Sequence, residues 1–132
     1  AFKKSRCLVP ISGWYEWKII DDVKQPFFFK HKENQNMFAA GLYWPRSDGS
    51  TEFTIITTAA PLEINEVHDR SPLILDDVSM GIWLSDDNPE DIHVNISHDF
   101  GHIIENYQVT RSVNNPKNNN ASLIEEFNEV PF

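Results

Sequence analysis

The chain has 132 residues, 40% of them hydrophobic and 23% charged, the size of one ordinary domain able to bury roughly two-thirds of its unfolded surface. No apolar run approaches the roughly 18 residues that a bilayer-spanning helix needs, and the opening AFKKSRCLVP is too short and too quickly polar for a secretory signal. The formal charge of −9 is uneven, with eight Lys/Arg against eight Asp/Glu in residues 1–66 and three against twelve in residues 67–132, which argues against a long footprint on duplex nucleic acid but leaves room for a short single strand held by a few arginines and stacked aromatics.

The first residue is Ala1 rather than Met, with neither a helix cap nor a strand lead-in, so the native start is expected upstream. RCLVPI (6–11) and WYEWK (14–18) predict two short strands broken by Pro10 and the Ser12-Gly13 turn signal. QPFFFKHK, the polar ENQN and MFAAGLYW predict a hairpin-like pair. TEFTIITTAAPL alternates and is rich in β-branched residues, so it predicts a further strand. Beyond Pro61 the pattern changes. LEINEVHD predicts a short helix entering a loop, SPLILDD a brief apolar strand, and DDVSMGIWL a short amphipathic helix with its acidic residues at the favourable N-terminal end. PEDIHVNISHDFGHII predicts another helix, interrupted by Gly101; YQVTRSV predicts a last strand and NNPKNNN a loop. No repeat or linker divides the chain. Strands first and short helices later make an α+β fold dominated by antiparallel sheet.

Within this frame Glu16 stands among Trp14, Tyr15 and Trp17. A carboxylate in apolar surroundings is penalised in its ionised form, so it either points to water from an edge strand or carries a raised pKa. His68, Asp69 and Arg70 form an HDR segment between two apolar runs. His moves protons near neutrality and Arg grips a phosphate with a planar fork; the alternative is a surface loop with an Asp-Arg pair. Cys7 is the sole cysteine, which excludes an internal disulfide and a multi-cysteine zinc site within these residues. It lies in the apolar CLVPI, where free Cys behaves as a small buried hydrophobe rather than a nucleophile. In HDFGH, His98 and His102 stand four apart with His93 nearby; on a helix that is metal-ligand spacing, but Gly101 weakens the helix and the internal Glu of the metalloprotease pattern is missing. A solvated acidic face with incidental histidines is expected, and no metal.

Taken in order, RCLVPISGWYEWK, QPFFF, AAGLYW, FTIITTAA and VHDRSPLIL resemble the SOS response-associated peptidase (SRAP) domain, roughly from Arg6 to Asn119. The resemblance implies one α+β domain over residues 1–132, mainly antiparallel β-sheet folded into a pseudo-barrel with a few short helices, whose N-terminal part is missing. It implies action on abasic sites in single-stranded DNA: an N-terminal cysteine, exposed when the initiating Met is removed, condenses with the abasic aldehyde and closes a stable thiazolidine, leaving protein and DNA joined. The family's essential glutamate falls on Glu16 and its essential histidine on His68; Arg70 matches the arginine that holds DNA phosphate, and Trp17 the aromatic beside the site. No cofactor and no membrane partner are implied, and the location is intracellular, cytoplasmic in a bacterium or nuclear in a eukaryote.

The departures are equally specific. The Met-Cys-Gly start and the Asn- and Arg-containing segment that follows it are not in this chain; Cys7 matches a non-catalytic cysteine; and Ser71 stands where a Met is usual. This portion by itself is therefore expected to be inactive, with an unpaired sheet edge or exposed apolar surface. Two other functions compete: a thiol peptidase using Cys7 and His68, and a non-catalytic module that binds single-stranded DNA.

Overall fold

Ser12 separates Arg6–Ile11 (β1) from Gly13–Ile20 (β2) in the computed structural model, which describes residues 5–126. At the end of β2, Asp21 and Asp22 both take positive φ, 50° and 62°. Two such residues make the tight connection whose twist matches antiparallel strands, and Asp tolerates that backbone better than most residues. The chain accordingly doubles back as Val23–His31 (β3), in register from Gly13↔Lys30 to Ile20↔Val23.

The expected pairing of QPFFFKHK with MFAAGLYW does not form. Residues 33–36 instead carry the chain out of one sheet and into another, where Met37–Pro45 (β4) pairs antiparallel with β1, from Arg6↔Leu42 to Ile11↔Met37. The local cause is the Asp21-Asp22 turn, which gives β3 a nearer partner than β4.

TEFTIITTAAPL also divides, at Ile56. Thr51–Ile55 (β5) extends the β4 sheet, whereas Thr57–Ala59 (β6) leaves it for a separate ribbon. Ile56 donates to Ala40 O and accepts from Leu73 N, at 2.8 and 2.9 Å, so the break itself is hydrogen-bonded on both sides. After β6, a single helical turn over Leu62–Asn65 (α1) is anchored by the fully buried Ile64. Arg70–Pro72 (β7) then pairs with β6, and Ile74–Leu75 (β8) with β4.

Asp77–Trp83 (α2) follows, capped by Asp76, whose carboxylate accepts from Ser79 N at 2.7 Å; that bond holds the Asp76 carboxyl below its usual range. Pro89–Asn95 (α3) stops well before Gly101, so His98 and His102 do not share a helix. Ile104–Gln108 (β9) starts earlier than the YQVTRSV expectation and completes the order β2-β3-β9. Arg111–Asn114 and Ala121–Ile124 are 3-10 turns.

The result is α+β with antiparallel sheets, and among the described residues they do not close into a barrel. Between them lies a core built on Phe29, Ile64, Ile74, Trp83, Ile92 and Ile104, each such side chain contributing about 1.5–3 kcal/mol through burial. Small residues let β4 sit at its centre. Ala39 and Ala40 are fully buried, and a Cβ on Gly41 would come within 2.8 Å of Val9 Cγ2 and 3.0 Å of Cys7 Sγ. Arg6 ties β1 to the end of α2 by donating to Trp83 O and Ser85 O, while Trp83 Nε1 donates to Cys7 O at 2.9 Å.

Large apolar side chains are exposed in clusters on the strands as well as singly on the helices. Ile19, Ile20 and Val23 project from the β2-β3 hairpin tip, and Tyr43 and Phe53, directly paired on β4 and β5, are exposed together. Among the described residues, no helix is long and apolar enough to cross a membrane.

Candidate functional site

The two faces of β2 have different neighbours because its side chains alternate. Trp14 and Glu16 share one face, where Trp14 stacks on Phe29 with ring centroids 5.2 Å apart and Glu16 stands opposite Phe27. Tyr15 and Trp17 share the other, their rings 6.3 Å apart, with Phe28 packed against Tyr15. The glycine that opens GWYEW is required by the packing, since a Cβ on Gly13 would sit 2.4 Å from both Phe28 Cζ and Phe29 O.

Glu16 is thus presented on the core-facing side of a strand at the edge of its sheet. Its side chain keeps 20% of its surface in contact with solvent. Desolvation pushes its carboxyl above the usual carboxylate range; attraction to His68 opposes this shift, and repulsion from Asp69 adds to it.

His68 arrives from the other direction, on the segment joining α1 to β7. Its backbone N donates to Ile64 O at 3.1 Å, and Asp69 O accepts from Ala60 N at 2.9 Å, so the loop is pinned at both ends to a buried anchor and a strand end. His68 Nδ1 lies 3.7 Å from Glu16 Oε2 and 3.6 Å from Asp69 Oδ1. It also lies 3.1 Å from Arg70 O and 3.2 Å from Arg70 N. Nδ1 can therefore carry its proton toward three oxygens, or accept from the Arg70 N–H when it carries none. The ring can change protonation without losing its hydrogen bonding on that side. The Glu16 contact is too long for a direct hydrogen bond, though attraction to His68 still acts on the Glu16 carboxyl.

Arg70 begins β7, where Ala59↔Arg70 is the last pair of the ribbon. Its Nη2 donates to Thr57 O at 3.0 Å and Thr57 Oγ1 at 3.2 Å, which fixes one edge of an exposed guanidinium. An Asp69-Arg70 pair is not what forms; the Asp69 carboxylate turns toward His68 instead.

Trp17 lies next to Glu16 in sequence but on the opposite face of β2. Its Nε1 donates to Asn114 Oδ1 at 2.6 Å, and Lys24 Nζ stands 5.2 Å from its ring centroid. A cleft of about 260 Å³ opens there, lined by Trp17, Lys24, Val113, Asn114 and Pro116. Sequence reasoning missed Thr57 and Asn114. Thr57 lies inside a β-branched run and Asn114 in a stretch of loop composition; the only available signal was that an indole N–H and a guanidinium seek acceptors.

Cys7 is placed elsewhere. It pairs with Gly41 in the β1-β4 ladder, and burial pushes its thiol pKa up, the reverse of what activates a thiol nucleophile. His102 faces Asp99 at 3.8 Å, His93 packs edge-on against His98, and no group of three metal-ligating side chains occurs among the described residues.

The family described as SOS response associated peptidase (SRAP) matches residues 1–116. The chain is 39% identical over 128 residues to abasic site processing protein YoqW of Bacillus subtilis, covering 91% of this chain and 57% of that protein. It is 32% identical over 133 residues to abasic site processing protein YedK of Escherichia coli, covering 94% of this chain and 59% of that one. It thus spans little more than half the length of these relatives. A crystal structure of a Bacteroides thetaiotaomicron protein superimposes with a TM-score of 0.81 at 22% identity, over 96% of this chain and 58% of that chain, a likeness of fold.

Proposed function

The chain belongs to the SOS response-associated peptidase (SRAP) family, and from that premise we propose that Glu16 and His68 are the proton-transfer pair of a site that captures abasic sites in single-stranded DNA. The observation that carries this reading is their approach to 3.7 Å from separate parts of the fold. It is supported by relatives that are named abasic site processing proteins.

The chemistry requires such a pair. A closed abasic deoxyribose opens when its C1′ hydroxyl loses a proton and its ring oxygen gains one. The amine of an N-terminal cysteine, upstream of Ala1 in the complete protein, adds to the C1′ aldehyde, and the resulting carbinolamine loses water to become an imine. The cysteine sulfur then adds to the same carbon while its proton passes to nitrogen. The net change joins aldehyde, amine and thiol into a thiazolidine and releases one water. Each step moves a proton on or off oxygen, nitrogen or sulfur, the work of a Glu and a His of suitable pKa. Glu16, with its carboxyl pushed up by desolvation, holds a proton closer to neutrality than an ordinary Glu. The self-processing peptidase character, removal of the residue that blocks the cysteine amine, draws on the same two groups.

Arg70 receives a DNA phosphate with the part of its guanidinium that faces away from Thr57, and Trp17 contributes a stacking face. A few such contacts suffice for a short strand with one reactive aldehyde, so the acidic balance of the chain is no obstacle. A thiol peptidase centred on Cys7 is disfavoured by the raised pKa of that thiol.

Incubating the complete protein with a single-stranded oligonucleotide containing one abasic site tests the reading. A denaturation-resistant adduct is expected with that strand and none with the undamaged one. Equal labelling of both, or of neither, contradicts it.

A further inference from the structure

Asn114 lies far from Trp17 in sequence, in the 3-10 turn Arg111–Asn114, yet it receives the Trp17 indole N–H at 2.6 Å while its own Nδ2 donates to Lys24 O at 3.1 Å. The amide orientation is forced by these partners: exchanging O and N would set an NH2 against the indole N–H and an oxygen against the Lys24 carbonyl. A single side chain thus bridges the two strands of the hairpin. The turn that carries it is itself held, by Ser112 N donating to Thr110 Oγ1 at 3.3 Å and by Asn118 Nδ2 donating to Ser112 O at 2.8 Å.

We infer that Asn114 is a positioning residue that sets the Trp17 indole as a DNA-stacking platform at the free edge of β2. An indole N–H beside solvent needs no protein acceptor for stability, since water accepts nearly as well and the net gain of such a bond is small. What a fixed acceptor adds is direction. The contrast with Trp14 is informative: that indole packs against the core on Phe29, and its buried Nε1 has no hydrogen-bond partner, so packing alone orients it. Trp17 lies outside the core that Trp14 packs against, beside the Tyr15 ring, and its indole is held by Asn114 on one side and the Lys24 ammonium over its ring on the other. The cleft beside the ring, about 260 Å³, leaves room for a base, with Lys24 available to a neighbouring phosphate. Because β2 is an edge strand, a DNA strand crossing that edge meets Trp17 on one face and Glu16 on the other.

This inference rests on the reading of Trp17 as a DNA contact, and the experiment separates the two. Binding of the complete protein to a labelled single strand carrying a chemically reduced abasic site, which has no aldehyde and cannot crosslink, is followed by fluorescence anisotropy. The variants are Asn114→Ala, Trp17→Phe, which keeps a ring but loses the N–H, their combination, and Trp17→Ala. Asn114→Ala and Trp17→Phe should each weaken binding about fivefold, the double variant should be no worse than either, and Trp17→Ala should lose more. With the aldehyde-bearing strand, the adduct-forming rate at saturating DNA should fall far less than the affinity. Asn114→Ala binding like wild type while Trp17→Ala binds weakly would overturn the positioning role and leave the DNA contact standing; so would losses that multiply in the double variant. If Trp17→Ala binds as tightly as wild type, the DNA contact and the positioning role both fall.

Discussion

Glu16 Oε2 and His68 Nδ1 lie 3.7 Å apart, although Glu16 belongs to β2 of the β2-β3-β9 sheet and His68 to the loop that enters the β6-β7 ribbon. The burial of Glu16 has a cost that His68 only partly offsets. Glu16 binds its proton more tightly in the folded chain than in the unfolded one because desolvation outweighs the attraction of His68. The folded state then carries more protons in the window from the ordinary carboxylate range up to the raised value, and stability falls as pH rises through it. Glu16→Gln should therefore raise the melting temperature at neutral pH, and the gain should shrink toward about pH 4, where the wild-type carboxyl is largely protonated in both states. A lower melting temperature for the Gln variant at neutral pH would mean that attraction to His68 dominates after all.

Cys7 should react slowly with iodoacetamide in the folded protein, since burial raises its thiol pKa and only the thiolate is nucleophilic. Cys7→Ser should cost about 1 kcal/mol of stability by placing a hydroxyl in an apolar ladder, with crosslinking nearly intact. Rapid labelling, or loss of the adduct in Cys7→Ser, would restore the thiol-peptidase alternative.

Arg70 and Thr57 should separate by salt dependence. On the proposed reading Arg70 holds a phosphate, so Arg70→Ala should weaken DNA binding and reduce the slope of log affinity against log salt by about 1. Thr57→Val removes only the 3.2 Å hydroxyl contact to Arg70 Nη2 and should leave that slope unchanged. Parallel salt plots for Arg70→Ala and wild type would argue against a phosphate contact.

Asp76→Ala should destabilise the protein by about 1 kcal/mol, as loss of a helix N-cap does. The Asp76 carboxyl is held low by its bond to Ser79, so this contribution is present above the ordinary Asp range and is lost as pH falls through the depressed value. Chemical denaturation of both proteins at neutral and acid pH checks it: the difference should narrow in acid.

Much of this was legible from residue order because it depends on local chemistry. The β-branched TEFTI, the acidic start of α2 and the carboxylate among aromatics in GWYEW each specify their own environment. What escaped was decided by partners distant in sequence. Alternation alone cannot say that Asp21 and Asp22 turn β3 back onto β2, nor that Ile56 divides one apolar run between a sheet and a ribbon. The site followed the same division. Glu16, His68 and Arg70 stood out by residue type and setting, whereas Thr57 and Asn114 matter only through contacts that the fold creates. The Asp69 carboxylate lies against His68, a pairing that residue order alone does not decide.

The most direct measurement is the rate of adduct formation by the complete protein with abasic single-stranded DNA, for Glu16→Gln, His68→Ala and the double variant. Groups that exchange protons in the same steps act as a unit, so each single change should slow the reaction by about 10²-fold or more, and the double should be far less severe than the product of the two. A Glu16→Gln protein that crosslinks at the wild-type rate, or two losses that multiply in full, would contradict the account of Glu16 and His68 as one proton-transfer pair.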